Sequence, residues 1–141
     1  MSEDVLHLDR TVDARPETVW AAWTTSGGLA GWWWSHWPGT THDVDARVGG
    51  RYRIEAREAG VGVTGEYLEL DAPRRLVQTW EWLDDGVPGV TDRVEVTLTA
   101  AGGGTRVDVV HLGPGMDADS RADYASGWAF VLDALVRTHG T

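Results

Sequence analysis

Residues 76–82 read Leu-Val-Gln-Thr-Trp-Glu-Trp, and every second residue from Leu76 to Trp82 falls on the same side of an extended chain. Alternation of this kind is typical of a β-strand that directs one face to the core. Further strands are predicted in four other segments: 51–56, 63–70, 94–98 and 107–111. Because turn-forming residues separate these segments, residues 43–112 predict about six antiparallel strands.

Glycine, proline and aspartate mark the connections between these strands. Asp71-Ala72-Pro73 predicts a turn, because proline fixes φ and aspartate bonds its own local backbone. Gly102-Gly103-Gly104 predicts a second turn. Asp84-Asp85-Gly86, followed closely by Pro88-Gly89, indicates a longer connection.

Helices are predicted on both sides of the strand region. Residues 5–12 predict a first strand, and Pro16 then stands where a helix can begin, since its missing N–H needs no partner there. That helix should end before Gly27, and a second short helical turn is expected over 27–33. Near the C-terminus a period of 3.6 predicts one long helix that runs to Gly140. Its apolar stripe consists of Tyr124, Trp128, Val131, Leu132 and Leu135.

The predicted order is a strand, two short helices, about six antiparallel strands and one long helix, which is an α+β architecture. One amphipathic helix does not cover a sheet of this width completely. A curved sheet that grips the helix leaves space between them, and this space is a candidate ligand cavity.

The composition limits the function. The 141 residues fit one domain, 1–141, and the chain has no cysteine, which excludes disulfides and thiol chemistry. The formal net charge is −10, and the sequence has no cluster of basic residues of the kind that nucleic-acid binding requires, so no nucleic-acid partner is expected. The acidic start of the sequence resembles neither a secretory signal nor a membrane anchor, and no apolar run is long enough for membrane insertion. We therefore expect a cytoplasmic protein.

Nine tryptophans in so small a chain predict a bulky aromatic interior or rim. Residues 32–37 hold four of them and cannot place all four on one face of any regular element. In one interpretation this loop forms the lip of the cavity or a contact surface for a protein partner or a second copy of the chain. In the other, Trp32 and Trp33 pack into the core while Trp34 and Trp37 stay partly exposed.

Eight short segments, taken in their order along the chain, resemble a known family. They are residues 14–20 (ARPETVW), 29–33 (LAGWW), 48–52 (VGGRY), 65–70 (GEYLEL), 73–77 (PRRLV), 80–82 (WEW), 104–106 (GTR) and 127–128 (GW). In this order they resemble the START-like (SRPBCC, helix-grip) superfamily. The most similar branch is the one related to the C-terminal domain of the activator of the ninety-kilodalton heat-shock chaperone ATPase.

This resemblance implies a helix-grip fold, in which a curved antiparallel sheet of six to seven strands wraps around a long C-terminal helix. Members of the superfamily bind lipids and hormones or act as polyketide cyclases and aromatases. It implies three alternatives for this chain: a binder of a small hydrophobic molecule, a cyclase or dehydratase, and a stress-related or chaperone-associated interaction module that uses the loop 32–37. None of them requires a metal or a cofactor.

The candidate ligand-binding residues come from the inward faces of the predicted strands, the apolar stripe of the last helix and the tryptophan-rich loop. They are Trp33, Trp34, Trp37, Tyr52, Tyr67, Gln78, Trp80, Trp82, His111, Tyr124, Trp128 and Leu132. His111 is also the candidate acid–base residue, because imidazole exchanges a proton near neutral pH. The alternative is a buried histidine that is simply satisfied by hydrogen bonds.

Two other sequence patterns provide little evidence for a functional site. Gly60 to Gly65 match a dinucleotide-binding motif in letters but open a strand rather than a helix. His36, His42, Asp43 and Asp45 do not have the spacing of a known metal site.

Overall fold

The computed structural model describes residues 5–139. The predicted helix end at Gly140 lies outside this range. The helices and strands are β1 Val5–Val12, α1 Pro16–Thr24, α2 Ser26–Ala30, β2 Thr41–Val44, β3 Arg51–Ala56, β4 Val61–Asp71, β5 Arg75–Asp84, β6 Val87–Ala101, β7 Gly104–Leu112 and α3 Ala118–His139. Two short 3₁₀ turns, Arg57–Ala59 and Pro114–Met116, precede β4 and α3.

All seven strands form one sheet in the order β1-β7-β6-β5-β4-β3-β2. Every neighbouring pair is antiparallel. The predicted α+β class, the strand count and the two short helices after the first strand are confirmed. The arrangement is the helix-grip fold that the resemblance implied.

The core lies between the sheet and the helices. Alternate residues of β6 point inward, and Val94, Val96 and Leu98 are all buried. From α3, Trp128 and Leu132 enter the same apolar cluster, together with Val19 and Trp23 of α1 and other residues of the sheet. The stripe that predicted a buried face on α3 is therefore confirmed.

The predicted longer connection over 84–89 is wrong. Asp85 and Gly86 have φ values of 51° and 83°, which is the left-handed geometry of a two-residue hairpin turn. Pro88 belongs to β6 and pairs with Leu83 of β5. Proline is tolerated there because β7 pairs with β6 only from Arg93 onward, so this end of β6 has a partner on one side alone.

Other boundaries differ from the prediction as well, and β6 and β7, at Val87–Ala101 and Gly104–Leu112, are longer than the predicted segments 94–98 and 107–111. The second helix covers Ser26–Ala30 rather than 27–33, and β4 begins at Val61 rather than at residue 63. The strand region opens with β2 at Thr41 rather than at residue 43. Within residues 5–139, no helix combines the length and the apolar character that crossing a bilayer requires.

Candidate functional site

A groove of about 340 Å³ opens at the surface between β5 and the first half of α3. Trp82 lines it from β5. The other lining residues are Ser120, Asp123, Tyr124 and Gly127. Their spacing of three and four residues places them on one face of α3, so the groove is built by one helix face and one strand end.

A smaller pocket of about 60 Å³ shares three of these lining residues, Trp82, Tyr124 and Gly127. Its other walls are Trp33, Trp34, Trp80, Trp128 and Val131. The pocket is narrow because the indole rings themselves occupy most of the space between the sheet and α3. Groove and pocket together form one site with an open mouth that carries a few polar groups and an aromatic floor, which we call the aromatic site.

The rings at the entrance meet at right angles. Trp82 lies 5.8 Å from Trp34 with an interplanar angle of 86°, and 6.1 Å from Tyr124 with an angle of 90°. Edge-to-face packing of this kind is favourable for aromatic quadrupoles. It also leaves an aromatic corner at the mouth.

An irregularity in the sheet positions Trp82. The register between β5 and β6 shifts between Glu81 and Leu83, because two residues of β6, Gly89 and Val90, lie opposite the single residue Trp82, which pairs with Val63 of β4 on its other side. Such bulges bend a strand and redirect a side chain. Trp82 is accordingly only half-buried, in contrast to Trp80 two residues before it.

Gly127 is unusual because it lies in the middle of a helix. It is exposed, and a Cβ atom built there would meet no atom within 4 Å. A glycine at such a position lowers helix stability by roughly 0.5–1 kcal/mol relative to alanine. No packing contact requires the missing side chain, whereas a larger residue would enter the groove and the pocket.

Tyr124 and Asp123 supply the polar groups of the mouth. The Trp80 Nε1–H donates a 3.2 Å hydrogen bond to the Tyr124 hydroxyl oxygen, and no described residue accepts the hydroxyl proton. Burial raises the pKa of Tyr124, so the phenol stays a donor at neutral pH. Asp123 is exposed and forms no ion pair with any residue in the described part of the chain.

His111 lies behind this aromatic wall, fully buried against the rings of Trp80 and Tyr124. Its Nε2 is 2.9 Å from Oδ2 of the buried Asp92, and its Nδ1 accepts a 3.1 Å hydrogen bond from Nε1–H of Trp128. An indole nitrogen only donates, so the imidazole proton is on Nε2 and is donated to Asp92. Both ring nitrogens therefore have protein partners.

Asp92 is the polar residue of this region that the sequence analysis missed. Its second oxygen, Oδ1, accepts a 2.8 Å hydrogen bond from the backbone N–H of Gly115. A Cβ atom on Gly115 would collide with the Asp92 carboxylate, so the close approach needs glycine. The sequence contained a signal for this, because Asp92 lies two residues before Val94 and therefore on the same inward face of β6 as Val94 and Val96.

The predicted site residues fall into three groups. Six line the aromatic site: Trp33, Trp34, Trp80, Trp82, Tyr124 and Trp128. Three others, Tyr52, Tyr67 and Gln78, line a separate space of about 10 Å³ deeper in the core. The remaining three line neither space: Trp37, His111 and Leu132.

The loop 32–37 is more buried than either interpretation assumed. Trp34 is only 8 % exposed and belongs to the pocket wall, which corrects the expectation that it stays partly exposed. Its φ of 54° lies in the left-handed region that a bulky side chain disfavours, and this conformation turns its ring toward Trp82. Trp37 is half-buried and packs against Trp34 and His36.

The four residues considered as a metal cluster are not brought together as a possible ion site. His42 Nε2 instead lies 2.8 Å from the Trp33 carbonyl oxygen. Within the described residues, one group has the geometry to hold an ion, namely His7, Asp9 and Asp108 on β1 and β7. Arg106 already forms ion pairs with both carboxylates of that group.

Comparison with known proteins identified a protein family and several similar solved structures. The family model described as activator of Hsp90 ATPase homolog 1-like protein matches residues 13–140. Comparison with curated proteins gave no match.

Three solved structures illustrate the likeness. Protein CV1439 from Chromobacterium violaceum is 28% identical with a TM-score of 0.78, and the alignment covers 99% of each chain. DynU16, a protein in the dynemicin biosynthetic locus, is 23% identical with a TM-score of 0.80 over 96% of this chain, which spans only 47% of that protein. PFC0360w, an HSP90 activator from Plasmodium falciparum, is 18% identical with a TM-score of 0.71 over 93% of this chain and 92% of that one.

Proposed function

The chain belongs to the family of activator of Hsp90 ATPase homolog 1-like proteins, and we propose that it binds a small planar aromatic molecule in the aromatic site. The observation that carries this proposal is the continuous aromatic wall, Trp33, Trp34, Trp80, Trp82 and Trp128, beside a groove that opens to the surface.

The dimensions favour a flat ligand. Small-molecule sites commonly enclose about 300–1,000 Å³, and the groove, at about 340 Å³, reaches this size. The inner pocket of about 60 Å³ has room only for the edge of a ring. A planar aromatic molecule that lies in the groove and directs one edge inward satisfies both dimensions, and a bulky aliphatic ligand does not.

Orientation of the ligand would come from Tyr124. Its hydroxyl proton has no acceptor among the described residues, and the raised pKa keeps that proton in place at neutral pH. An oxygen acceptor on the ligand would therefore receive a hydrogen bond at the mouth while the ring contacts the indoles.

Binding is favoured over catalysis because of the contacts of His111. A general base needs a free nitrogen within hydrogen-bond reach of its substrate. Both nitrogens of His111 are engaged, by Asp92 and by Trp128, and the residue does not line the groove. A cyclase mechanism that uses His111 would have to break one of these buried bonds first.

The interaction-module alternative has less support. Three of the four tryptophans in the loop 32–37 are buried, so the exposed surface of the loop rests on Trp37 and His36, with Phe130 of α3 beside them. The HSP90 activator and the dynemicin-locus protein are both less than 25% identical to this chain, and their likeness supports the fold alone. A cytoplasmic location stays a prediction from the sequence.

The proposal is tested by calorimetric titration with 2-naphthylmethanol, a neutral planar probe. The Trp82→Ala variant should lose most of the affinity, because Trp82 lines both groove and pocket. Trp37→Ala is the matched control, since it removes a half-buried tryptophan that lines neither space. Equal affinity in wild type and Trp82→Ala, or absence of binding to the wild type, would contradict the proposal.

A further inference from the structure

The mouth of the aromatic site combines two features that recognise organic cations. Trp82 and Tyr124 meet at 90° with their ring centroids 6.1 Å apart, and Asp123 lines the same groove. An ammonium group is attracted to the negative face of an aromatic ring, most strongly to tryptophan, and sets of such rings bind quaternary ammonium ligands. A carboxylate beside the rings adds a charge of the opposite sign.

Resting on the proposed function, we propose that the aromatic site selects a ligand that carries a protonated amine, with the ligand ring directed inward and the ammonium group held by the ring faces of Trp82 and Tyr124 and by the Asp123 carboxylate, which leaves the Tyr124 hydroxyl to donate to any oxygen acceptor on the ligand. Ser120, which also lines the groove, offers a hydroxyl oxygen as a further acceptor for the ammonium hydrogens.

The surroundings of Asp123 indicate that the positive charge opposite its carboxylate would come from the ligand rather than from a basic residue of the protein. Asp123 and Tyr124 are neighbours on α3, and Asp123 has no ion-pair partner among residues 5–139. Arg121, the basic residue next to it in sequence, directs one guanidinium nitrogen toward the Val5 carbonyl oxygen. No basic residue lines the groove or the pocket as described, so an ammonium ion entering the mouth would meet one carboxylate and no cation.

The charge of the whole chain acts in the same direction. With a formal net charge of −10, the protein has a field that raises the local concentration of small cations and repels anions. This long-range attraction is screened by salt, whereas contacts with the rings are screened much less.

The test compares two probes of nearly the same shape. 2-Naphthylmethylamine is protonated at neutral pH, and 2-naphthylmethanol is its neutral counterpart. We expect the amine to bind about five- to tenfold more tightly, as an exposed cation–π contact and one ion pair together predict. In Asp123→Asn this preference should fall to about two- to threefold, because only the contact with the rings remains.

Asp43→Asn is the matched control. Asp43 is exposed on β2, at the sheet edge opposite β1, and its substitution changes the net charge by the same amount. The preference for the amine should persist in this variant, and its loss there would mean that net charge alone is responsible and would overturn the proposal.

The failure of this inference is distinguishable from failure of the proposed function. Equal affinity of wild type for the two probes, or tighter binding of the alcohol, would overturn the amine preference and leave the aromatic binding function intact. Absence of binding of both probes would overturn both proposals.

Discussion

The indole N–H of Trp128 donates a 3.1 Å hydrogen bond to Nδ1 of the fully buried His111. This contact leaves only Nε2 to carry the imidazole proton, which is donated to Asp92. The chain Trp128–His111–Asp92–Gly115 thus has one donor and one acceptor at every step, and it joins α3 to β7, β6 and the turn before α3. The aromatic site is built against this chain.

Replacement of Asp92 by asparagine tests the direction of these bonds. If the new side-chain amide keeps its oxygen toward the Gly115 N–H, its NH₂ group faces the Nε2–H of His111, and two donors oppose each other. An unsatisfied buried donor lowers stability by about 1–3 kcal/mol. We expect Asp92→Asn to lower the free energy of unfolding, measured by urea denaturation, by about this amount. The exposed control Asp43→Asn should change it little, and an unchanged stability in Asp92→Asn would refute the assigned bonds.

Replacement of Trp34 tests its left-handed backbone. Loss of the ring destabilises the protein in both Trp34→Ala and Trp34→Gly, but glycine adopts a φ of 54° without steric conflict. A left-handed conformation disfavours an L-residue by about 1–2 kcal/mol. After allowance for the greater chain entropy of glycine, we expect Trp34→Gly to be about 0.5–1 kcal/mol more stable than Trp34→Ala.

Trp37 provides the control for this pair, because its φ is not positive. There the order should reverse, with Trp37→Ala more stable than Trp37→Gly. The same order at both positions, measured by chemical denaturation, would rule out the strained geometry at Trp34.

Alkaline titration tests the burial of the tyrosines. The chain contains three, and burial raises the pKa of each of them: Tyr52, Tyr67 and Tyr124. In the unfolded chain they ionise near the ordinary value of 10.0. The folded protein holds these protons longer, so the stability from the neutral phenols is fully present below pH 10 and is lost as pH rises toward the raised values.

We therefore expect tyrosinate absorbance to appear together with the loss of far-ultraviolet circular dichroism, in one transition above pH 10. Ionisation of a tyrosine at its ordinary pKa, with the dichroism unchanged, would contradict the burial.

The sequence predicted the fold in detail because local signals and burial agreed. β1 at Val5–Val12 and the start of α1 at Pro16 lie where the patterns placed them. The hairpin at Asp85-Gly86 was not predicted because Pro88-Gly89 reads as part of a longer connection, whereas β6 tolerates proline at the end where β7 does not pair with it.

The site was less predictable, since it depends on contacts between distant elements. Strand parity identified Trp80 and Trp82, but it was not applied to Asp92, the hydrogen-bond partner of His111. The inward turn of Trp34 comes from one unusual backbone angle that no periodicity encodes. Gly127 attracted attention only as part of a family motif, because an exposed glycine has no pattern of its own.

Substitution of Gly127 by alanine tests whether that glycine has a packing role. Since a Cβ atom there meets nothing within 4 Å, alanine should fit without rearrangement. We expect Gly127→Ala to raise the free energy of unfolding by about 0.5–1 kcal/mol through helix propensity alone. A decrease, measured by urea denaturation, would reveal a contact that the structure does not contain.

A large side chain at the same position tests ligand binding in the aromatic site most directly. Gly127→Leu should fold like the wild type, because the site is exposed, but its side chain should occupy the groove and the entrance of the pocket. Ser126→Leu, one residue earlier on the exposed surface, is the control. Calorimetric titration with 2-naphthylmethanol should give affinity at least about tenfold weaker for Gly127→Leu and nearly unchanged for Ser126→Leu. Wild-type affinity in a folded Gly127→Leu variant would contradict the claim that ligands bind in the aromatic site.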